Sequence, residues 1–172
     1  MQRATLRLLI GIMVVLPLAA QQGVPLPDWK AFQFLIGDWV GEGSGSPGTG
    51  GGGFTFGLEL QGHVLVRHNH TEFPASQGRP ANIHDDLLVV YQEKDGFKAV
   101  YWDNEGHVIH YTVSFAPDKS LVFVSGKMAG APRQRLSYRD LGNGGLGIRF
   151  EIAPPDKPDD FKVYLDGAAR KK

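Results

Sequence analysis

The chain has 172 residues, 18 Lys and Arg against 18 Asp and Glu, and no cysteine. The balanced charge argues against a nucleic-acid partner. Without cysteine, neither a disulfide framework nor a lipid-anchored cysteine can form. A chain of this length supports one hydrophobic core, so we predict a single domain.

The N-terminal stretch predicts a secretory signal peptide over residues 1–20. Arg3 and Arg7 give a positive start, residues 8–18 are almost wholly apolar, and Ala19 and Ala20 end the stretch with small side chains. The apolar run is too short to span a membrane. We therefore expect an exported protein without a membrane anchor, periplasmic or secreted, whose folded domain covers residues 21–172.

The exported part begins with a short helical turn. Trp29, Phe32, Leu35 and Ile36 recur at helical spacing after Asp28, a residue type that caps helix starts well. In small barrels a turn of this kind can plug one end.

From residue 34 onward, apolar and polar residues alternate in short segments separated by turn sequences. The turns are expected at Gln61-Gly62, Asp95-Gly96, Glu105-Gly106, Pro117-Asp118 and residues 141–145. About nine to ten strands at regular spacing, joined by hairpins without a long crossover, predict an all-β fold. We predict a single antiparallel up-and-down barrel, because closure removes the exposed sheet edges.

The period changes again near the C-terminus. Phe161, Tyr164, Leu165 and Ala168 fall on one helical face, which predicts a short C-terminal helix. Phe161, Val163 and Leu165 also fit a last strand, and this alternative stays open.

Two hairpins assign side chains to the two faces of the sheet. With two-residue turns at Asp95-Gly96 and Glu105-Gly106, Val89 pairs with Trp102, and Trp102 pairs with Ile109. This register predicts an apolar barrel interior made by Leu87, Val89, Tyr91, Val100, Trp102, Ile109, Tyr111, Val113 and Phe115.

Three polar residues share the parity of that interior face near one end: Asp85, Asn104 and His107. An apolar lining with a few convergent polar groups is typical of a ligand pocket. A solidly packed core with a polar rim is the alternative, since small barrels adopt both.

Arg67 is the sharpest candidate for a ligand contact. A two-residue turn at Gln61-Gly62 pairs Phe56 with Arg67, so that Arg67 and Asn69 point into the barrel. A buried arginine needs an anion or several acceptors. The alternative to a ligand contact is a structural ion pair with an interior carboxylate such as Asp85.

The same register places His68, His70 and Glu72 on the outer face. Two histidines at this spacing can bind one metal ion, but a third ligand would have to come from a neighbouring strand. A metal-dependent enzyme centred on His68 and His70 is one alternative function. A solvated outer face is the other interpretation, because exposed strand positions normally carry polar side chains.

The run Gly-x-Trp-x-Gly-x-Gly from Gly37 to Gly43, after an apolar turn and before a meander of hairpins, resembles nitrobindin and the related lipocalin-like (calycin) barrels. The resemblance covers the exported part in strand order and implies an exported bacterial member with a ten-stranded barrel. Nitrobindins bind haem at one mouth through a proximal histidine near the C-terminus. Here Asp160 stands at the similar position, and a carboxylate is a poor substitute for imidazole as a haem ligand. We therefore expect no cofactor.

These patterns predict an exported protein that binds a small, largely apolar or amphipathic molecule inside or at the mouth of a barrel. Trp39, Arg67, Trp102, His107 and Tyr111 are the leading candidates for lining or mouth residues. No catalytic residue is predicted. A haem-binding protein is a further alternative, and it would need another histidine as ligand, for which His107 is the candidate.

Overall fold

The computed structural model describes residues 24–45, 48–76 and 78–172. The predicted signal peptide lies outside these ranges. A 3-10 helix, Lys30–Leu35, precedes the sheet, and a single 3-10 turn, Leu60–Gly62, interrupts it. The strands are β1 (Gly37–Gly45), β2 (Gly48–Thr49), β3 (Gly51–Glu59), β4 (Val64–Phe73), β5 (Asn82–Glu93), β6 (Gly96–Asp103), β7 (Val108–Phe115), β8 (Leu121–Ser125), β9 (Arg133–Gly142), β10 (Gly145–Ala153) and β11 (Lys162–Lys171). No described helix is long and apolar enough to cross a membrane.

Ten of the described strands form a closed antiparallel barrel. From β3 to β11 each strand pairs with the next, β3 also pairs with β1, and β11 pairs with β1 to close the sheet. In this closing ladder Trp39 lies opposite Lys171 and Gly41 opposite Ala169. The two-residue strand β2 extends the sheet beside the end of β1. The predicted single up-and-down barrel is confirmed.

The predicted C-terminal helix is wrong, and the strand alternative is confirmed. Lys162–Lys171 form β11, which pairs with β10 on one side and with β1 on the other. Val163 lies opposite Glu151, and Leu165 lies opposite Phe150. Without this strand the backbone groups of β1 and β10 would lack partners along two edges. Pairing those edges outweighs the helical spacing of a few apolar residues, since tertiary context overrides weak local preference.

The short N-terminal helix plugs one end of the barrel. Trp29, Phe32 and Leu35 are buried. The ring of Phe32 lies 4.7 Å from the ring of Phe97 and 5.4 Å from that of Phe115, centroid to centroid. These contacts join the helix to the start of β6 and the end of β7, so this end of the barrel is filled.

The opposite end of the barrel is its mouth. Because neighbouring strands run antiparallel, the connections that follow β1, β4, β6, β8 and β10 all lie at this end. The connection between β4 and β5 contains a small turn in which Ser76 and Arg79 exchange backbone hydrogen bonds of 3.0 and 2.9 Å.

Candidate functional site

The mouth opens into a cavity of about 1290 Å³. Below the cavity the barrel is packed, with Phe56, Leu65, Leu88, Phe123 and Tyr138 fully buried. The volume exceeds the ~300–1,000 Å³ of ordinary small-molecule pockets. The barrel is therefore solid near the helical plug and hollow near the mouth.

One side of the cavity is apolar. It is formed by inward-facing side chains of β9, β10 and β11, namely Leu136, Ile148, Phe150, Ile152 and Leu165. No charged group interrupts this set, so it offers an apolar molecule a continuous surface.

A neighbouring sector of the wall carries almost no side chain. The residues at this place are Gly41, residues 50–53, Gly167 and Ala168. A Cβ atom built on Gly41 would have only one heavy atom within 4 Å, the carbonyl oxygen of Gly52 at 3.9 Å. The missing side chains of this sector add to the space inside the barrel.

The deep end of the polar side is built around Arg67. Its guanidinium donates hydrogen bonds to the Asp86 carboxylate and to the Tyr138 hydroxyl. Its Nε is buried without a hydrogen-bond partner among the described residues. Burial opposes ionisation of Asp86, yet Arg67 and then His84 bring the pKa of Asp86 below its usual value. Arg67 and Asp86 thus form a buried ion pair.

His84 and Tyr101 continue this polar side towards the mouth. The Nε2 atom of His84 lies 3.4 Å from Asp86 Oδ2 and 3.1 Å from the Tyr101 hydroxyl. The hydrogen bond to Asp86 raises the pKa of His84, although partial burial opposes the charged form. Asn69 Nδ2 also donates to Asp86 Oδ2, at 2.9 Å.

Asp103 and the turn after β6 complete the polar side at the rim. Asp103 Oδ1 accepts backbone N–H bonds from Glu105 and His107, at 3.0 and 2.9 Å. Asp103 Oδ2 accepts from the Tyr101 hydroxyl at 3.1 Å and from His107 Nδ1 at 2.8 Å. We call the connected set Arg67, Asp86, His84, Tyr101, Asp103 and His107 the polar column.

Four of the predicted site residues line the cavity: Arg67, Asn69, His107 and Tyr111. The predicted pairing of Phe56 with Arg67 is confirmed, and with it the inward direction of Arg67 and Asn69. The structural ion pair offered as the alternative for Arg67 is present, but its carboxylate is Asp86 instead of Asp85.

The predicted interior is wrong for β5 and β6 and right for β7. Trp102 lies opposite Val108, whereas the prediction paired it with Ile109. The connection after β6 is one residue longer than a two-residue turn allows, and a shift of one residue exchanges the two faces of a strand. The inward residues of β5 and β6 are therefore Asp86, Leu88, Val90, Ala99, Tyr101 and Asp103, and the predicted Leu87, Val89, Tyr91, Val100 and Trp102 face outward.

The remaining predicted lining residues lie elsewhere. Trp39 is 2% exposed and belongs to the packed core, where its ring stacks on Phe54. Trp102 is 40% exposed on the outer surface. Asp85 also faces outward, and Asn104 serves the turn by donating from Nδ2 to the carbonyl of Ile83 at 2.9 Å.

His68 and His70 face outward, as the register predicted. His68 Nε2 lies 3.1 Å from Glu59 Oε1. His70 Nδ1 lies 2.6 Å from Asp85 Oδ1, and its Nε2 lies 3.2 Å from Glu72 Oε1. The Asp85 and Glu72 hydrogen bonds raise the pKa of His70. Among the described residues, His68 and His70 do not belong to any group of three His, Asp or Glu side chains close enough to bind one metal ion.

The described residues bring together a different set of ligand-type groups, His84, Asp103 and Glu105, whose ligand atoms lie within 4.8 Å of one another. This set was not among the predicted site residues, because the predicted two-residue turn after β6 puts Asp103 and Tyr101 outside the barrel. The Asp103 side chain, which caps the turn, was the signal that could have corrected the turn length.

No protein-family model matches the chain, and no curated protein matches its sequence significantly. The closed ten-stranded antiparallel barrel is consistent with a lipocalin-like (calycin) fold.

Proposed function

We propose that this protein is an exported carrier or receptor for a small amphipathic molecule, held inside the barrel. The observation that supports the proposal is the cavity of about 1290 Å³ with an apolar side opposite the polar column. Burial of apolar surface supplies most of the binding free energy in such pockets, and a few polar groups fix the orientation.

Tyr111 is the group we assign to the polar end of the ligand. Its side chain lines the cavity, and no described residue forms a hydrogen bond with its hydroxyl. Burial raises the pKa of Tyr111, so the hydroxyl stays protonated and can donate a hydrogen bond to a carbonyl or hydroxyl oxygen of the ligand. Most other polar groups nearby already bond to one another, and Tyr111 joins the buried Nε of Arg67 as a donor without a partner among the described residues.

Gly41 supplies a test that leaves the polar column untouched. Its backbone conformation is ordinary for a strand, and a side chain added there has open space in front of it. The variant Gly41→Leu should therefore fold and fill part of the cavity. Gly57→Leu is the matched control, because Gly57 also has open space around its Cβ position but does not line the cavity.

The experiment measures binding of a fluorescent dansyl fatty acid to the purified protein and to both variants. We expect Gly41→Leu to weaken binding at least tenfold and Gly57→Leu to leave it unchanged. Native mass spectrometry of the protein from its own host then identifies the bound molecule. Equal affinity in all three proteins would place the probe outside the cavity and overturn the proposal, as would no binding at all.

Haem is the second candidate ligand, and one observation favours it. His107 stands at the cavity edge with Nδ1 bonded to Asp103, and none of the described residues bonds to its Nε2. A histidine held by a carboxylate through one nitrogen is the usual arrangement of a metal-binding imidazole. Haemin titration of the wild type and His107→Ala tests this: a Soret shift lost in the variant supports haem, and an unchanged Soret band excludes it.

A further inference from the structure

We propose that the rim of the cavity holds a divalent transition-metal ion, bound by His84, Asp103 and Glu105. The three residues come from the start of β5, the end of β6 and the turn that follows it. Their ligand atoms lie within 4.8 Å of one another. Imidazole nitrogen and carboxylate oxygen are the ligand types that Zn²⁺, Mn²⁺ and Co²⁺ accept.

The spacing of one pair of ligand atoms, on His84 and Glu105, is compatible with a shared ion. His84 Nδ1 lies 3.3 Å from Glu105 Oε1. Two ligands on a tetrahedral ion with bonds of about 2.0–2.1 Å stand roughly 3.3 Å apart, which is the distance found here.

The surroundings of His84 provide a second, independent observation. Its other nitrogen, Nε2, faces the buried carboxylate of Asp86 at 3.4 Å. Asp86 is in turn held by Arg67 and by Asn69. Metal-binding histidines usually donate their second N–H to a carboxylate, which fixes the tautomer and leaves the other nitrogen for the ion. This arrangement leaves His84 Nδ1 facing Glu105.

His70, on the outer face, differs from His84 in its surroundings. Both nitrogens of His70 also face carboxylates, Asp85 and Glu72, but the ring and both carboxylates are more than half exposed. No buried carboxylate orients that ring. His84 differs because its side chain is only 26% exposed and its orientation is fixed from inside the barrel.

The ion would keep a position open towards the cavity. His84, Asp103, Glu105 and the adjacent His107 all line it. Sites with three protein ligands leave a fourth position for water or for a ligand atom. An ion bound here would therefore meet the polar group of a molecule in the barrel, but its binding does not require the barrel to be occupied.

The test uses the purified protein after dialysis against EDTA, titrated with ZnCl₂ in a calorimeter and with CoCl₂ in a visible spectrometer. We expect one ion per chain and a tetrahedral or five-coordinate Co²⁺ spectrum. Glu105→Gln removes one ligand charge at a 49% exposed side chain, so the fold should survive. We expect it to weaken Zn²⁺ binding at least tenfold.

Glu72→Gln is the matched control, since Glu72 contacts a histidine on the outer face. We expect this variant to bind Zn²⁺ like the wild type. Absence of Zn²⁺ and Co²⁺ binding would overturn the proposal, and so would an effect of Glu72→Gln equal to that of Glu105→Gln. Gly41→Leu separates the two proposals, because it should block the dansyl fatty acid and leave Zn²⁺ binding intact.

Discussion

Arg67 and Asp86 form an ion pair inside the barrel, joining the neighbouring strands β4 and β5 beneath the cavity. Both side chains are buried, Arg67 also donates to the Tyr138 hydroxyl, and the Asn69 amide also donates to Asp86. The pair positions the deep end of the polar column. Loss of Arg67 alone should affect stability differently from loss of both partners.

Arg67→Met should destabilise the protein strongly. The substitution leaves the Asp86 carboxylate buried without its cation, and breaking a buried ion pair in this way costs about 3–5 kcal/mol. The free energy of unfolding, measured by urea denaturation, should fall by that amount.

The double variant Arg67→Met with Asp86→Leu serves as the control. Replacing both charges with apolar groups removes the uncompensated carboxylate, so this protein should be more stable than Arg67→Met alone. A double variant as unstable as the single one would show that the unpaired charge is not the cause.

Trp39→Phe should lower the free energy of unfolding by ~1–3 kcal/mol, because it leaves a buried carbonyl without its donor. Trp39 Nε1 donates to the carbonyl of Leu35 at 2.7 Å, which ties β1 to the helical plug. Trp102→Phe, on the exposed outer face, should change the same quantity by less than about 0.5 kcal/mol. Thermal and urea unfolding of both variants measure this, and equal losses would contradict it.

Substitution by alanine should change the free energy of unfolding differently at two adjacent glycines of β3. A Cβ on Gly52 would lie 2.2 Å from the carbonyl oxygen of His70, whereas a Cβ on Gly51 would meet nothing within 4 Å. Gly52→Ala should therefore cost about 1–3 kcal/mol or more, as overpacking does. Gly51→Ala should be neutral or stabilise by ~0.4–1 kcal/mol through the unfolded chain. Urea denaturation measures the stability of both variants. A larger loss for Gly51→Ala than for Gly52→Ala would contradict the packing of β3 against β4.

Asp159 should titrate below the usual aspartate pKa of about 3.9. The hydrogen bond from Lys127 lowers the pKa of Asp159, and Arg133 adds to the effect. Since the folded pKa lies below the unfolded one, this stabilising contribution is present above about pH 4 and lost as the pH falls through the folded pKa. An NMR titration of the carboxyl carbon measures it. Lys127→Ala should raise the midpoint, and an unchanged midpoint would contradict the assignment.

The barrel was predictable because the local sequence of each hairpin indicates its two strands and the turn between them. Alternation of apolar residues and the Gln61-Gly62 turn gave the correct pairing of β3 with β4, and Arg67 was placed inside on that basis alone. The C-terminal strand was ambiguous because Phe161 and Leu165 suit both periods. Only the unpaired edges of β1 and β10, a non-local feature, decide between them.

The candidate site was harder to predict because the length of one turn, the turn after β6, determines which side chains of β5 and β6 point into the barrel. At the hairpin between β5 and β6 the turn residues are Lys94-Asp95 instead of Asp95-Gly96, which moves each pairing partner by two residues and leaves the predicted residues of β5 and β6 together on one face. After β6, Asp103 binds the backbone of Glu105 and His107 and lengthens the turn. Turn sequences containing Gly106 suit both lengths, so local sequence leaves the choice open.

The side-chain pattern does not predict the cavity, because part of its space comes from glycines, which have no side chain. Gly41 and residues 50–53 form part of the wall.

The pairing of β11 with β1 brings the last residues of the barrel to its plugged end, where the N–H of Lys172 donates to the carbonyl of Asp38 at 3.0 Å. Lys172 therefore lies on the side of the barrel opposite the mouth. A tag attached there can tether the protein to a sensor surface with its opening towards the solution. Binding can then be measured on the immobilised barrel without the support blocking ligand entry.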